Sequence, residues 1–215
     1  MTSISAGLLL YRWGRAPQKG ERRLEVLLVH PGGPYWAKKD AGAWSIPKGE
    51  AEPGELGAVA QPAEPWRRPA KVKPRLAASS GDLLAVARRE FREETSFSPD
   101  ELAAPGGAGY VPLGGIKQRG HKIVFVWALE GDCDAAAVVS EGFTKEWPPR
   151  SGQTATFPEV DRAAWFVLAA AREAIVAGQR RFLDDLEVVA AAGALPEPPI
   201  RLRRSLLTTW RTVSS

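Results

Sequence analysis

The sequence is poor in cysteine and histidine. Cys133 is its single cysteine, which excludes an internal disulfide framework and any metal site built from several cysteines. The two histidines, His30 and His121, lie far apart in the chain and do not suggest a metal-binding pair. Such cysteine usage is typical of a reducing compartment, and we expect a cytoplasmic protein.

The sequence also lacks a long hydrophobic run. Uninterrupted apolar stretches such as Ile123 to Leu129 are far short of the roughly 18 residues that cross a bilayer. No basic residues precede the short apolar run from Gly7 to Leu10, so this segment does not resemble a secretory signal peptide. We therefore expect neither export nor a membrane-spanning segment.

What the chain does contain is enough apolar sequence for one core. Its 215 residues are 44% hydrophobic and 25% charged, as in ordinary globular domains. The net charge of +4 comes from two proline-containing segments: residues 61–80 contribute +4 and residues 196–215 contribute +3, which leaves −3 for the rest. We expect one domain over 1–192, with an irregular Pro/Arg-rich insertion at about 57–81, and a basic extension over 193–215.

Hydrophobic patterning predicts an α+β fold. Strands come before and after one charged helix, and two further helices follow, an order that favours a mixed sandwich over regular βαβ alternation. The predicted strands are 4–11, 24–30, 111–116, 122–130 and 164–167, and the predicted helices are 82–95, 169–177 and 181–192.

The first predicted helix carries a stripe of carboxylates. At about 100° per residue, its apolar residues share one arc and three glutamates occupy the adjoining arc. Carboxylates at this spacing repel one another, so a positive group should lie beside them, and a hard cation such as Mg²⁺ prefers oxygen ligands. The alternative is a solvated helix face on which arginines alternate with glutamates. The apolar residues are Leu84, Ala87 and Phe91, and the glutamates are Glu90, Glu93 and Glu94.

An acidic segment upstream completes a recognisable pattern. Gly49 and Glu55 are separated by five residues, and after a gap the chain reads Arg-Glu-Phe-Arg-Glu-Glu-Thr-Ser-Phe over residues 89–97. These residues resemble the Nudix box, which is Gly, five residues, Glu, seven residues, Arg-Glu, a hydrophobic residue, any residue, Glu-Glu, any residue, Gly and a hydrophobic residue. Two departures are present. Residues 56–88 place 33 residues where the box has seven, and Ser96 replaces the last glycine, where a left-handed conformation costs serine more.

The resemblance implies a fold and a reaction. It extends beyond the box to further segments of the domain, which are residues 6–12, 24–30, 44–49 and 157–166. The implied fold is a Nudix-type α/β/α sandwich with a mixed β-sheet and the catalytic helix packed against it. The implied activity is metal-dependent hydrolysis of a nucleoside diphosphate linked to another moiety, with Mg²⁺ or Mn²⁺ as cofactor. Segment 44–49 looks most like enzymes that act on dinucleoside polyphosphates or other polyphosphorylated compounds.

The resemblance also implies a set of metal ligands. By their positions in the box, Glu90 and Glu94 are expected to be the principal ligands. Glu93 is expected to be a ligand or a base, and the carbonyl group of Gly49 is expected to complete the metal shell.

Two further residues receive catalytic roles from the resemblance. Arg89 is expected to orient a glutamate of the box, either Glu90 or Glu55. Glu159, on a loop much later in the chain, is expected to be an additional ligand or base. Ordinary solvation on that loop is the alternative for Glu159.

Four residues are candidates for substrate contacts. Lys48 and Arg150 carry charges that suit phosphate, and Tyr35 and Trp44 are aromatic rings of the kind that stack on a base. Solvation of the two cations and packing of Trp44 in the core are the alternatives. The expected partner is a small nucleotide or polyphosphate, and the oligomeric state is left open.

Two other functions compete with hydrolysis. A non-catalytic Nudix-fold sensor would bind a nucleotide without cleaving it, and the insertion and Ser96 motivate this reading. The charged residues that the box retains argue against it, since decayed sites usually lose carboxylates. Nucleic-acid binding through the basic segments is the third hypothesis, but no recognised nucleic-acid motif accompanies that charge. We therefore expect neither specific nucleic-acid binding nor membrane binding.

Overall fold

A mixed β-sheet lies at the centre of the fold. In the computed structural model, which describes residues 3–15, 22–56, 80–118 and 122–191, six strands form this sheet and two more form a separate hairpin. The sheet strands are β1 (Ile4–Arg15), β2 (Arg22–Pro31), β3 (Lys48–Glu50), β4 (Val111–Lys117), β5 (Ile123–Glu130) and β8 (Val160–Val167), and the hairpin strands are β6 (Gly142–Glu146) and β7 (Thr154–Pro158).

The order of the strands makes the sheet mixed. The path is β4-β5-β1-β2-β8, and β3 pairs with β1 beside it. The β1 and β5 strands run parallel, whereas the other neighbouring pairs are antiparallel. A parallel pair needs a long connection, and the segment between β1 and β5 includes the first helix.

Helices cover both faces of the sheet. They are α1 (Ser80–Thr95), the short α2 (Pro99–Leu102), α3 (Leu168–Ala174) and α4 (Arg180–Ala191), with 3₁₀ turns at Ala135–Ala137 and Ala177–Gln179. One hydrophobic cluster joins the sheet to α1, and a second joins the opposite face to α3 and α4. This arrangement confirms the predicted α/β/α sandwich with a mixed sheet.

The central strand β1 shows why two layers of helix are needed. Successive side chains of a strand point to opposite faces. Leu8 and Leu10 lie in the cluster with α1, and Leu9 between them lies in the cluster with α3 and α4. All three are completely buried, so their continuous apolar run is that of a strand covered on both sides.

Three of the predicted boundaries were wrong by three or more residues. The first strand extends to Arg15, not to residue 11. The last strand of the sheet begins at Val160, not at residue 164. The helix predicted over 169–177 ends at Ala174, where the chain becomes extended and Ile175 forms a parallel bridge with Trp44. In this bridge the Trp44 amide donates to the Ala174 carbonyl at 3.1 Å, a tertiary contact that local propensity does not encode.

Several elements were not predicted at all. Helix α2 and strand β3 are short, and the β6–β7 hairpin is mostly exposed, so none of them carries a long apolar pattern. Of the irregular insertion predicted at 57–81, residues 57–79 lie outside the described residues, while residues 80 and 81 belong to α1. The predicted extension at 193–215 also lies outside them. No helix within the described ranges is long and apolar enough to cross a membrane.

Candidate functional site

Helix α1 presents its carboxylates at the border of its buried face. Val86, Ala87 and Phe91 are buried against the sheet, while Leu84 is only partly buried. Glu90 lies next to this apolar arc and is only 8% exposed. The core contacts of the helix therefore fix the direction in which the acidic stripe points.

Arg89 connects both halves of the acidic pattern. Its guanidinium group donates two hydrogen bonds to the Glu55 carboxylate, at 2.8 and 2.9 Å, and one to Glu93 at 2.7 Å. The same group lies 2.9 Å from Glu90 Oε1 and donates to the Glu50 carbonyl at 3.3 Å. Arg89 thus contacts Glu55 and Glu90 at once, and its hydrogen bonds lower the pKa of Glu55. This bidentate geometry is specific to arginine.

Gly49 forms a cradle for Glu90. Strand β3 pairs antiparallel with β1 so that Gly49 lies opposite Ala6, on the face of the sheet that α1 covers. A Cβ atom built at Gly49 would lie 1.7 Å from Glu90 Oε2 and 2.0 Å from its carboxyl carbon. The Glu90 carboxylate therefore occupies the space that any other residue would need at position 49.

Glu94 is held against the same strand. Its Oε2 accepts a hydrogen bond of 3.1 Å from the Lys48 amide, next to Gly49. Burial raises the pKa of Glu94 to about 7, and burial also raises the pKa of Glu90, although Arg89 opposes that shift. Burial disfavours the charged form of both carboxylates, and a nearby cation would offset this penalty.

Glu159 lies near the acidic stripe, although it is far from α1 in the sequence and belongs to the junction between β7 and β8. Its negative charge contributes to the raised pKa of both Glu90 and Glu94. Its backbone is fixed at both ends, since its amide donates to the Glu141 carbonyl and its carbonyl accepts from the Gly32 amide, each at 2.8 Å. The structure therefore brings Glu159 to the carboxylates that the helix supplies.

Two lysines border the carboxylates. Lys122 is partly buried, and its pKa is lowered first by burial and then by the charge of Lys48, while nearby glutamates oppose the shift. On the sheet face opposite Gly49, the buried Ser5 Oγ has no hydrogen-bond partner in the described part of the chain, and neither does Gln118 Nε2. The charges of Lys48 and Lys122 thus lie beside the acidic stripe, whereas the Ser5 hydroxyl lies across the sheet from it.

The aromatic candidates separate into two environments. Trp44 is only 5% exposed, donates to Asp40 Oδ1 at 2.8 Å and packs edge-on against Phe166, so it belongs to the core. Its interpretation as a substrate-stacking residue is therefore withdrawn. Tyr35 is 51% exposed and packs edge-on against Trp147 with its ring centroid 5.4 Å away.

Arg150 lies in the turn between β6 and β7. It is exposed and has a positive φ of 64°. In the same hairpin, the Lys145 ammonium group lies 4.6 Å from the centroid of Tyr35. The hairpin thus carries two cations and the partly exposed Trp147. Sequence reasoning missed Lys145, because it belongs to no recognisable pattern.

His30, to which the sequence analysis assigned no role, is a buried structural residue. It is fully buried, and its ring nitrogens lie 2.7 Å from Asp161 Oδ1 and 2.7 Å from the Lys39 carbonyl oxygen. Asp161 belongs to β8, so the ring joins two neighbouring strands to the loop after β2. No sequence signal could have found this contact, because its partners are far apart in the chain.

The donors at the carboxylates fit a hard divalent cation. Among residues 3–15, 22–56, 80–118 and 122–191, no group of three or more His, Cys, Asp and Glu side chains is arranged to hold a metal ion. Mg²⁺ usually binds one or two carboxylates, and waters and substrate phosphates complete its shell. Glu90 and Glu94, beside the backbone of Gly49, match that smaller requirement.

Comparisons with known proteins give structures but no family model. No family model matches the chain, and no curated protein matches it. Solved structures that align with it include an Ap4A hydrolase of C. elegans, at 20% identity over 87% of this chain and 98% of that one, with a TM-score of 0.49. A mutT/nudix family protein of Listeria innocua aligns at 13% identity over 88% of this chain and 94% of that one, with a TM-score of 0.46.

A third aligned structure is the NUDIX domain of Shewanella oneidensis NrtR in complex with ADP ribose. It is 14% identical over 89% of this chain and 86% of that one, with a TM-score of 0.42. At these identities and scores, an argument about chemistry has to rest on the side chains themselves. The chain is thus similar to Nudix and MutT proteins along most of its length. Its function has to be inferred from its own carboxylates.

Proposed function

We propose that this protein is a Nudix hydrolase that uses a divalent metal to cleave a phosphoanhydride bond in nucleoside diphosphate derivatives. One observation carries the proposal: Glu90 and Glu94 contact Gly49 and the Lys48 amide, respectively. Although 33 residues replace the seven of the usual gap, the two halves of the box meet in space. Arg89 joins them a second time through Glu55.

In this proposal Glu90 and Glu94 hold Mg²⁺ or Mn²⁺ together with the carbonyl group of Gly49. When bound, the cation polarises the phosphate oxygens and lowers the pKa of a coordinated water. Arg89 keeps Glu90 in place and balances part of its charge. Burial of the carboxylates keeps bulk water away and strengthens their attraction for a cation.

Glu159 is the side chain we propose as the general base. Glu93 is held by Arg89 at 2.7 Å, so its carboxylate is less free to turn towards an attacking water. Glu159 is exposed on its loop and lies near enough to Glu90 and Glu94 for its charge to raise the pKa of both. It would accept a proton from the attacking water and later release it to solvent.

Lys48 and Lys122 are proposed to bind the phosphates of the substrate. Both cations lie beside the carboxylates, where they would attract a polyphosphate chain and offset its charge. Tyr35 and Arg150 are proposed to contact the distal part of the substrate from the hairpin side. The substrate class is a nucleoside diphosphate linked to another moiety, with dinucleoside polyphosphates among the compounds to test first.

The proposal is tested with purified protein and a panel of nucleotide derivatives, with Mg²⁺ or Mn²⁺ present or removed by chelation. We expect turnover that requires the metal. Glu90→Gln and Glu94→Gln should each lower kcat/KM by more than about 100-fold, the upper range for residues that only support metal ligands. Asp184→Asn is the matched control, because Asp184 is exposed on α4 and pairs with Arg172.

The outcomes separate the two leading hypotheses. Full activity in both glutamine variants would contradict the assigned metal ligands. Nucleotide binding without metal-dependent turnover across the panel would favour the non-catalytic sensor instead. Circular dichroism and urea unfolding of each variant ensure that lost activity does not reflect lost structure.

A further inference from the structure

A three-residue segment joins the end of α1 to Glu159. This segment, residues 139–141, is called the clip. On the helix side, Ser96 Oγ donates to the Val139 carbonyl at 2.5 Å, and the Glu141 amide donates to the Glu93 carbonyl at 3.1 Å. The clip is thereby tied to the same helical turn that carries the carboxylates.

The other side of the clip holds the backbone on both sides of Glu159. The Glu141 carbonyl accepts from the Glu159 amide at 2.8 Å. The Ser140 hydroxyl accepts from the Val160 amide at 2.9 Å and lies 3.1 Å from the Val160 carbonyl. The hydroxyl also lies 3.0 Å from the Glu141 carbonyl, so a single serine contacts the backbone next to Glu159 and the clip at once.

We infer that the clip sets the position of Glu159 over the carboxylates of α1, and that Ser96 and Ser140 are positioning residues for the hydrolysis. The inference rests on the proposed function, in which Glu159 is the base. Glu159 belongs to a junction between β7 and β8 and is exposed, so core packing does not hold its side chain in place. The hydrogen bonds of the clip provide its link to the helix.

The backbone of Ser96 is strained, and its hydroxyl group makes a bond that glycine could not make. Its φ of 62° lies in the left-handed region, which favours glycine, and its amide closes the helix by donating to the Arg92 carbonyl at 2.7 Å. Glycine would end the helix there without strain but would leave the Val139 carbonyl without its donor. Serine therefore adds a bond between helix and clip at a position where the backbone alone favours glycine.

The test uses the full-length protein and separates positioning from folding. Ser96→Gly removes the hydroxyl and also relieves the backbone, so its unfolding midpoint in urea should be unchanged or higher. Its kcat should nevertheless fall about tenfold with KM nearly constant, because a displacement of ~1 Å costs up to ~100-fold in rate. Ser140→Ala should behave similarly, and Ser140→Thr, which keeps the hydroxyl, should restore kcat to within about twofold.

Amide hydrogen exchange gives a readout that does not depend on activity. In Ser96→Gly and Ser140→Ala, the amides of Glu141, Glu159 and Val160 should exchange faster, while those in the middle of α1 should not change. Mn²⁺ affinity should stay within about twofold of the wild type, since Glu90 and Glu94 are untouched.

The results distinguish the inference from the function on which it rests. Unchanged kcat in both variants of an active enzyme would overturn the positioning role alone. A fall in kcat accompanied by an equal loss of stability in Ser96→Gly would also overturn it, because a purely structural role predicts that pattern. A wild type without metal-dependent turnover would refute the proposed function, and the positioning role with it.

Discussion

Gly49→Ala introduces the smallest change that should disable the site while leaving the fold intact. The added Cβ would lie 1.7 Å from Glu90 Oε2, whereas ordinary contacts begin at 3.4 Å, so the carboxylate must withdraw by about 1.7 Å. The atoms that must move are the end of a flexible side chain, so the backbone of β3 need not shift. The clash is therefore cheap for the fold and costly for the position of Glu90.

The two consequences have different magnitudes. A displacement of ~1 Å at a reacting site can cost ~100-fold in rate, and the withdrawal here is larger, so kcat/KM should fall by about 100-fold or more, which is about 2.7 kcal/mol. Alanine in a strand gains about 0.5–1 kcal/mol over glycine, and a weakened Arg89 contact costs a similar amount. The free energy of unfolding should therefore change by less than about 1 kcal/mol.

Steady-state kinetics, Mn²⁺ affinity and urea unfolding of the variant check both values. Gly107→Ala is the matched control, because its added Cβ would meet nothing closer than the Ala104 carbonyl at 3.1 Å, away from the carboxylates. Full activity in Gly49→Ala would refute the account, because the Glu90 carboxylate could then function from another place. A large loss of stability would show that β3 itself had been displaced.

Three further predictions concern other parts of the chain. Arg89→Lys loses the paired hydrogen bonds to Glu55. It should lower kcat by about 10- to 100-fold in kinetic assays and the free energy of unfolding in urea by about 1–3 kcal/mol. Wild-type values would refute the role of Arg89 in connecting the two halves of the box. Burial, more than the charge of Asp132, raises the pKa of Cys133 to about 11, so an aromatic disulfide reagent should react slowly at pH 8. Because the unfolded thiol ionises near 9, its contribution to stability, full below that pH, should be lost as pH rises towards 11, and Cys133→Ser should lack this loss. Replacement of residues 57–79 by a short Gly-Ser linker should leave a protein that unfolds cooperatively in urea, since loop closure depends weakly on length; a broad, non-cooperative transition would show that the segment belongs to the core.

The sequence predicted the parts of the fold that rest on long apolar patterns. The runs 4–11 and 24–30 became β1 and β2, and the stripe on 82–95 became α1, because each buries a continuous face. The β6–β7 hairpin escaped prediction because most of its side chains are exposed, so no burial pattern marks it. Pairing within a separate hairpin depends on its tertiary surroundings more than on local propensity.

The candidate site also has parts that the sequence predicted and parts that depend on tertiary contacts. Spacing alone places Glu90 and Glu94 on one arc of α1, but the contact of Glu90 with Gly49 depends on the pairing of β3 with β1. The cost of Ser96 was foreseen from its left-handed position, and its φ of 62° agrees with that prediction. The bond from its hydroxyl to Val139 could not be predicted, since it joins segments that only the folded chain brings together.

Direct binding of Mn²⁺, followed by the loss of its free-ion electron paramagnetic resonance signal, tests the central claim without knowledge of the substrate. The wild type should bind the ion, and the double variant Glu90→Gln/Glu94→Gln, which preserves the shape of both side chains, should bind it at least about 100-fold more weakly. Asp184→Asn should bind like the wild type. Identical binding curves for the wild type and the double variant would contradict the claim that these two carboxylates form the metal site.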